Sequence, residues 1–342
     1  MNRRIKVLLV DDSAVVREVL TAELSREPEI EIIGTAPDAF IARDKILKYE
    51  PDVVLLDIEM PRLDGLSFLR RLMHYHPLPV IIVSSLTPPG GEMALEAVTA
   101  GAVDVVCKPG PGLPLSEMTE MLIAKIRAAA QSNCRRVTPV VESDAKLLTA
   151  VNCSRQLIAI GASTGGTQAI EKILQQFPAS APATLIVQHM PAYFTASFAA
   201  RLNKICAMEV REAVNGEAIE PGQALVAPGN RHMLLRCVNN KFFIQLKDGP
   251  VIHHQRPSIE AFFQSLAQCA APQTAAALLT GMGRDGANGL LALRKAGAYT
   301  IAQDEATSVV FGMPAEAIRL GAAQEIVALP DIAGKLLAGS AV

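Results

Sequence analysis

The feature that most constrains the fold is a regular alternation of short apolar runs and amphipathic stretches over the first 130 residues. The apolar runs predict strands at residues 5–10, 30–34, 53–56, 80–83 and 103–107. The stretches that follow them have helical periodicity and predict helices at residues 13–26, 37–49, 64–75, 90–100 and 115–130. Repeated strand–helix units of this length predict a five-stranded parallel (βα)5 sheet of flavodoxin-like type, covered on both faces.

The alternation lapses in a polar stretch and then resumes. We expect a first domain at residues 1–125, a linker at 126–154 and a second domain at 155–342. Strands of the second domain are predicted at residues 157–160, 184–188, 224–227, 275–279 and 299–303, and a hairpin at residues 233–246 turns at Asn239-Asn240. The second domain is therefore also predicted to be α/β, doubly wound and mostly parallel.

Composition excludes several classes of protein. Half of the residues are apolar and 19% are charged, which suits two folded cores and argues against disorder. The net charge of −2 gives no reason to expect nucleic acid or an anionic membrane as a partner. The six cysteines form no Cys-x-x-Cys pair, so neither a zinc site nor a disulfide framework is indicated. No apolar run is long enough for a signal peptide or a membrane span, and we expect a cytoplasmic protein with no membrane insertion.

Acidic residues, a hydroxyl and a lysine stand at the ends of the first domain's strands. Asp11 and Asp12 follow the first strand, Asp57 follows the third, Ser84 follows the fourth and Lys108 the fifth. Ligands of parallel sheets bind at the carboxyl ends of the strands, where these side chains converge. Several carboxylates suit Mg²⁺, and a lysine with a hydroxyl suits a phosphoryl group on Asp57.

These residues stand in motifs that resemble the receiver domain of two-component response regulators over essentially all of residues 1–125. The motifs are Val10-Asp11-Asp12-Ser13, Leu56-Asp57-Ile58-Glu59-Met60-Pro61, Leu63-Asp64-Gly65, Val83-Ser84-Ser85 and Lys108-Pro109. The resemblance implies that Asp57 accepts a phosphoryl group from a histidine kinase. It further implies that Asp12, Asp57 and the carbonyl of Glu59 bind Mg²⁺, with Asp11 acting through water. Ser84 and Lys108 would bind the phosphoryl oxygens.

A second site is indicated where the strand at residues 157–160 ends in Gly161-Ala162-Ser163-Thr164-Gly165. A serine on such a strand-to-helix turn exposes its hydroxyl, and the backbone N–H groups at the helix start suit an oxyanion. His189 follows the next predicted strand and is the leading candidate for the base. Asp285, in a Gly-rich turn after another strand, is the candidate that orients it. The oxyanion donors would be the N–H groups near Thr164 and Met282.

Taken alone, this motif has a competing interpretation, because Gly-rich turns after strands also bind phosphate. The turn is neither a Walker A loop nor a dinucleotide-binding loop. The chain order serine, histidine, aspartate also differs from that of α/β-hydrolases, which makes that particular fold doubtful.

Several long stretches resemble the chemotaxis protein-glutamate methylesterases. They are residues 160–166, Gln188-His189-Met190-Pro191, residues 194–198, residues 227–233, Gly281-Met282-Gly283-Arg284-Asp285-Gly286 and residues 302–314. The resemblance implies hydrolysis of glutamyl methyl esters on methyl-accepting chemoreceptors, with release of methanol, and deamidation of particular glutamines. It implies no cofactor for the esterase step. It also implies that phosphorylation of Asp57 relieves an inhibition by the receiver.

One stretch departs from the family pattern. Gln255 and Glu260 stand where the family usually has a histidine and an aspartate, which leaves the predicted triad intact but affects contacts near it. Arg201 and Arg284 are candidates for contact with an acidic receptor surface, with solvated helix charges as the alternative. Other hypotheses are the same chemistry on a receptor-like target outside swimming chemotaxis, a non-catalytic receptor adaptor, and a DNA-binding output. The last is disfavoured because no basic recognition helix is evident.

Overall fold

The computed structural model describes residues 3–60, 64–85, 88–109, 114–132, 147–148, 155–239 and 241–339. The chain divides into two compact units, Met1–Pro139 and Val140–Val342. The predicted domain bounds of 1–125 and 155–342 remain a prediction. Most of the predicted linker, residues 133–146 and 149–154, lies outside the described residues.

The first unit is a five-stranded parallel sheet with helices between its strands, as the alternation of apolar runs predicts. The strands are β1 (Ile5–Val10), β2 (Ile30–Ala36), β3 (Val53–Leu56), β4 (Val80–Ser84) and β5 (Asp104–Cys107), in the order β2-β1-β3-β4-β5. The helices are α1 (Ala14–Leu24), α2 (Ala39–Tyr49), α3 (Gly65–Tyr75), α4 (Pro88–Thr99) and α5 (Leu115–Ala130).

The sequence explains where these elements lie and where three of the helices begin. All residues of β3, β4 and β5 are buried, which is why these strands read as continuous apolar runs. The side chains of Ser13, Asp38 and Asp64 each accept a hydrogen bond from a first-turn backbone N–H of α1, α2 and α3. Such caps satisfy N–H groups that the helix itself leaves unpaired.

The second unit contains a seven-stranded parallel sheet and a separate antiparallel hairpin. The sheet strands are β6 (Leu157–Ala162), β7 (Ala183–Gln188), β8 (Glu209–Glu212), β9 (Gln223–Val226), β12 (Thr274–Leu278), β13 (Tyr299–Gln303) and β14 (Glu325–Val327). Their order is β14-β13-β12-β6-β7-β9-β8. The hairpin consists of β10 (His232–Val238) and β11 (Lys241–Lys247).

Six α-helices belong to the described part of the second unit. They are α6 (Gly166–Leu174), α7 (Ala192–Ile205), α8 (Ile259–Cys269), α9 (Ala287–Lys295), α10 (Met313–Arg319) and α11 (Leu329–Ala338). Helix α8 packs against α9 and hairpin strand β10, and its residues Phe262 and Phe263 are fully buried. This packing fixes the start of α8 beside the sheet edge where the candidate active site lies.

Two edge strands, β8 and β14, were absent from the sequence-based prediction. Both are short, and both carry glutamates on partly exposed positions, so neither gives a strong apolar run. The predicted hairpin is confirmed, since Val238 pairs with Lys241 and Asn239 has a φ of 50°. The other predicted turn residue, Asn240, lies outside the described residues.

Candidate functional sites

The candidate phosphoryl-acceptor site lies at the carboxyl edge of the first sheet. Asp11 and Asp57 are buried, and the Nζ of Lys108 lies 2.8 Å from an Oδ2 of each. The Oδ1 atoms of these aspartates accept hydrogen bonds from the backbone N–H groups of Ser13, at 2.9 Å, and Glu59, at 3.1 Å. One lysine therefore forms ion pairs with two neighbouring carboxylates and offsets only part of their charge.

Burial dominates the electrostatics of this cluster. It raises the pKa of Asp57, and the nearby charge of Asp11 adds to the effect, while Lys108 and the Glu59 N–H oppose it. Burial alone would lower the pKa of Lys108, but its hydrogen bonds to Asp11 and Asp57 outweigh this and raise it. The ion pair with Lys108 and the hydrogen bond from Glu59 therefore do not fully offset the cost of burying the ionised Asp57 carboxylate.

The same cluster has the donor set that Mg²⁺ prefers. One carboxylate oxygen from each of Asp11, Asp12 and Asp57 lies within 4.8 Å of the others, and Asp12 is exposed. Hard oxygen ligands with open access for water and phosphate suit this ion. These residues therefore fit a magnesium site, as the sequence predicted for this edge of the sheet.

The two remaining receiver residues that the sequence singled out lie beside the cluster. Ser84 is fully buried at the end of β4, and its carbonyl accepts a hydrogen bond from the N–H of Lys108 at 2.8 Å. Glu59 follows Asp57 closely, and its Oε1 accepts from the Ser85 hydroxyl at 2.7 Å. Ser84 and Lys108 are consequently tied to each other through the backbone of adjacent strands.

The candidate active site lies at the carboxyl edge of the second sheet. Ser163 directly follows β6, and the backbone N–H of His189, directly after the neighbouring strand β7, donates to the carbonyl of Ala162 at 3.0 Å. The Ser163 N–H donates to the carbonyl of Thr280, past the end of β12, at 3.0 Å. The loops that follow the three adjacent parallel strands β12, β6 and β7 therefore meet at one point of the sheet edge.

His189 and Asp285 form a buried pair. His189 Nε2 lies 2.8 Å from Asp285 Oδ2, and the two residues are 7% and 2% exposed. Since an ionised carboxylate only accepts, the Nε2 atom carries the proton and Nδ1 presents a lone pair. Among the described residues, the buried Nδ1 has no hydrogen-bond partner. This tautomer leaves His189 with a free basic nitrogen.

The N-terminus of helix α8 lies against the carboxylate of Asp285. In addition to His189, the carboxylate accepts hydrogen bonds from the hydroxyl of Ser258 at 2.9 Å and from the N–H groups of Ile259 at 2.7 Å and Glu260 at 3.1 Å. Burial alone would raise the pKa of Asp285, but the hydrogen bonds from His189, Ile259 and Ser258 lower it overall. The helix N-terminus also favours negative charge there.

The turn that carries Asp285 lies against Ser163. A Cβ on Gly281 would stand 2.6 Å from the Cβ of Ser163, so only glycine permits this close approach. Met282, one of the two predicted oxyanion donors, is the next residue after this contact. The other, Thr164, is buried, and its carbonyl accepts from the Thr280 hydroxyl at 2.9 Å. Both predicted donors therefore lie in the two turns that meet at Ser163.

Three residues that support the site were not predicted from the sequence. Gln188 donates from Nε2 to the carbonyl of Ser163 at 2.9 Å, and Gln303 Oε1 accepts from the Thr280 N–H at 2.8 Å. Ser258 both caps α8 and binds Asp285. The available signals were weak, since a glutamine at a strand end and a serine before a helix are common. Only their position at one sheet edge distinguishes them.

The structure gives structural roles to His232 and to Arg201, the latter a candidate for contact with an acidic receptor surface. His232 bonds through Nε2 to the carbonyl of Pro250 at 2.9 Å and accepts on Nδ1 from the Ser258 N–H at 3.2 Å, a structural role. Arg201 binds both carboxylate oxygens of Glu171 at 3.2 Å, so its charge is engaged within the unit. Arg284, next to Asp285, is exposed.

Family comparisons agree with the two-part organisation. The family described as CheB methylesterase matches residues 158–336, and the family described as response regulator receiver domain matches residues 7–120. The fold and these matches define the class as a response regulator whose receiver is followed by a hydrolase domain. The chain belongs to the CheB methylesterase family.

Individual relatives extend over nearly the whole chain. A protein of Syntrophus aciditrophicus named protein-glutamate methylesterase/protein-glutamine glutaminase 2 is 49% identical over 98% of both chains. A protein of Anaeromyxobacter dehalogenans with the same name and the number 4 is 52% identical over 98% of this chain and 95% of its own length. The crystal structure of the Thermotoga maritima CheB methylesterase catalytic domain is 36% identical and covers 54% of this chain and 98% of that chain, with a TM-score of 0.52.

No helix within the described residues is both long enough and apolar enough to cross a membrane.

Proposed function

We propose that this chain is a phosphorylation-regulated hydrolase that converts glutamyl methyl esters to glutamates, releasing methanol, and particular glutamines to glutamates, releasing ammonia. The observation that carries the proposal is the buried His189–Asp285 pair at the sheet edge where Ser163 follows β6. The chain's membership of the CheB methylesterase family supports the same reaction. The substrates would be methyl-accepting chemoreceptors, and the process is sensory adaptation in chemotaxis.

In the first step, Ser163 Oγ attacks the acyl carbon of the substrate side chain while its proton passes to His189 Nδ1. Asp285 accepts the Nε2–H throughout, which fixes the tautomer and stabilises the imidazolium that forms. General-base assistance of this kind contributes roughly 10²–10⁴-fold. Rotation of the Ser163 side chain toward Nδ1 would form the required hydrogen bond when substrate is bound, since such bonds are often long or unformed in free enzymes.

The tetrahedral intermediate places a negative charge on the former carbonyl oxygen. The backbone N–H groups near Thr164 and Met282 are the proposed donors to that oxygen, and one such donor contributes roughly 10²–10³-fold. Collapse of the intermediate breaks the bond to the leaving group, which takes the proton from His189. The departing molecule is methanol for the ester and ammonia for the amide.

In the second step, water attacks the acyl group on Ser163, and His189 accepts a proton from that water. The serine then leaves with the proton, and a free glutamate side chain is released. Both substrates give the same acyl group on Ser163, because each presents a planar carbonyl on the same short side chain. One site therefore suffices for both reactions, and no cofactor is required for either.

Control would reside in the first unit. A histidine kinase would donate a phosphoryl group to Asp57, and Asp12, Asp57 and the Glu59 carbonyl would hold Mg²⁺, with Asp11 acting through water. When bound, Mg²⁺ supplies charge neutralisation for the phosphoryl oxygens. Lys108 and Ser84 would bind those oxygens. Lys108 now forms ion pairs with both Asp11 and Asp57, so a phosphoryl group on Asp57 would redistribute its contacts.

The test is methanol release from methylated receptor membranes, with and without a small-molecule phosphodonor and Mg²⁺. We expect release by the unaltered chain and none by Ser163→Ala. Receptor binding by Ser163→Ala would show that loss of release is not loss of folding. Receptor binding without any release by the unaltered chain would contradict the proposal and favour an adaptor.

A further inference from the structure

A buried carboxylate outside the proposed triad has no evident partner for one of its oxygens. Glu260, in the first turn of α8, is 6% exposed. Its Oε1 accepts from the side chain of Gln264 at 2.7 Å, whereas Oε2 is buried and has no hydrogen-bond partner among the described residues. Because an unpaired buried charge is costly, such an oxygen indicates a missing positively charged or hydrogen-bonding group.

A second buried carboxylate lies beside it. A carboxylate oxygen of Glu260 stands within 4.8 Å of one of Asp285, and the two residues are 6% and 2% exposed. Like charges this close and this buried repel each other, and Asp285 has no arginine or lysine among its hydrogen-bond donors. A cation between the two carboxylates would compensate both.

A nitrogen ligand faces the same point. A ring nitrogen of His253 also lies within 4.8 Å of the oxygens of Glu260 and Asp285. His253 and His254 form a tight turn between Ile252 and Gln255, whose backbones exchange hydrogen bonds of 3.1 and 2.9 Å. His253 reaches solvent, so an ion can arrive from that side.

We propose that His253, Glu260 and Asp285 form an inhibitory binding site for a divalent transition-metal ion of the Zn²⁺ class. One imidazole and two carboxylates are ligands that Zn²⁺ accepts, with water completing a tetrahedron. Mg²⁺ instead prefers six oxygen ligands and retains its waters. Tetrahedral ligands at about 2.0–2.2 Å from Zn²⁺ lie about 3.3–3.6 Å apart. The ligand atoms, now within 4.8 Å of one another, would have to approach to these separations by rotation of the His253 ring and the Glu260 side chain.

Inhibition of hydrolysis by the bound ion follows from the hydrogen bonds that Asp285 already accepts. Its two oxygens accept from His189, Ser258, Ile259 and Glu260, so a metal ion must compete with these donors for lone pairs. Three of the donors come from the continuous segment Ser258–Glu260, which also carries a ligand. The His189 hydrogen bond comes from another element and is the one that the ion displaces. This consequence rests on the proposed function, whereas metal binding itself does not.

Binding is tested by competition for Zn²⁺ between the full chain and a chromophoric chelator, in excess Mg²⁺ to occupy the receiver carboxylates. We expect one Zn²⁺ per chain, bound about tenfold or more weakly by His253→Asn and by Glu260→Gln. Asparagine tolerates the left-handed backbone at His253, where φ is 50°. His254→Asn is the matched control, with a φ of 60° in the same turn, and should bind like the unaltered chain. Absence of saturable binding, or equal binding by all four proteins, would refute the site.

Inhibition is tested by methanol release with and without Zn²⁺, followed by addition of a chelator. The ratio of the two rates is compared within each variant, so that any change in basal rate cancels. We expect a fall of about tenfold or more for the unaltered chain and His254→Asn, restored by the chelator, and a smaller fall for His253→Asn. Binding without inhibition would overturn the inhibitory role. No release even without Zn²⁺ would contradict the proposed function and leave the binding result standing.

Discussion

Asp57 and Asp285 are both buried in loops at the carboxyl edge of a parallel sheet, yet their surroundings differ in kind. Each is buried and follows a strand of a parallel sheet. Asp57 has one backbone donor and shares Lys108 with Asp11, and burial raises its pKa. Asp285 accepts from two side chains and two backbone N–H groups, which together lower its pKa despite burial.

The comparison shows how one topology suits the two chemical roles proposed for these aspartates. An aspartate that is to be modified keeps oxygens that are only partly satisfied, so that exchanging its partners costs little. An aspartate that is to orient a histidine has its oxygens saturated, so that neither its charge nor its position changes during a reaction. The number and origin of the hydrogen-bond donors, rather than burial, distinguishes the two.

The largest expected effect tests the orienting role of Asp285. Asp285→Asn should lower kcat for methanol release by about 10⁴-fold. The reason is that an amide can donate to Nε2 and thereby favour the tautomer with a proton on Nδ1. Ser258→Ala, which removes only one of the carboxylate's donors, is the control and should lose far less. Equal losses in the two variants would contradict a special role for the His189 hydrogen bond.

The next effect concerns Asp57. In Asp57→Asn, the ratio of hydrolysis rates with and without phosphodonor should fall to about one, because an amide cannot form the acyl phosphate. The same preparation should show no hydroxylamine-labile phosphoryl group by mass spectrometry of the intact protein. Stimulation that persists in this variant would mean that the phosphodonor acts at another residue.

A smaller effect concerns stability. Ser258→Ala removes the cap of α8 and one hydrogen bond to Asp285. We expect a loss of about 1–2 kcal/mol in the free energy of unfolding of the second unit. Urea titration followed by hydrogen exchange of peptides from α8 measures it. Ser180→Ala, at an exposed serine in a turn of the same unit, provides the comparison. An unchanged midpoint for Ser258→Ala would show that the cap is dispensable.

The smallest expected effect is the pH dependence of local stability around Asp57 and Asp285. The direction of this dependence is opposite for the two residues. Because the pKa of Asp57 is raised in the folded state, its contribution to folding stability is fully present below the ordinary pKa of 3.8. That contribution is lost as pH rises through the raised pKa. Asp57→Asn should therefore protect β3 from hydrogen exchange at pH 7 more than the unaltered chain does, with a smaller difference near pH 4.

Asp285 should behave in the opposite way. Because the pKa of Asp285 is lowered in the folded state, its contribution to folding stability is present above pH 3.8. That contribution is lost as pH falls through the lowered pKa. Protection of the α8 N-terminus should therefore hold down to about pH 4 and fall below it in the unaltered chain. Asp285→Asn should lack this fall. An α8 N-terminus that loses protection well above pH 4 would contradict the lowered pKa.

The residues explain why some features could be predicted and others could not. The buried strands can be recognised as apolar runs in the sequence. Ser163 can be recognised because it stands in a Gly-x-Ser-x-Gly motif. Strands β8 and β14 have too little apolar character to be recognised, because edge positions need little burial. Ser258 is 27 positions from Asp285, and Gln188 is 25 from Ser163. Contacts over such separations leave no periodic signal in a single sequence.

The sequence by itself determined the two α/β units, the order of most of their elements and the candidate residues for the proposed chemistry. These properties depend on local periodicity and on side chains that follow strands, and both can be read along the chain. Only the tertiary structure decided which nitrogen of His189 bonds to Asp285, how many donors saturate that carboxylate, and that His253 and Glu260 lie beside it. The physical reason is that hydrogen bonding and burial depend on distances of a few ångströms between segments that are far apart in the chain.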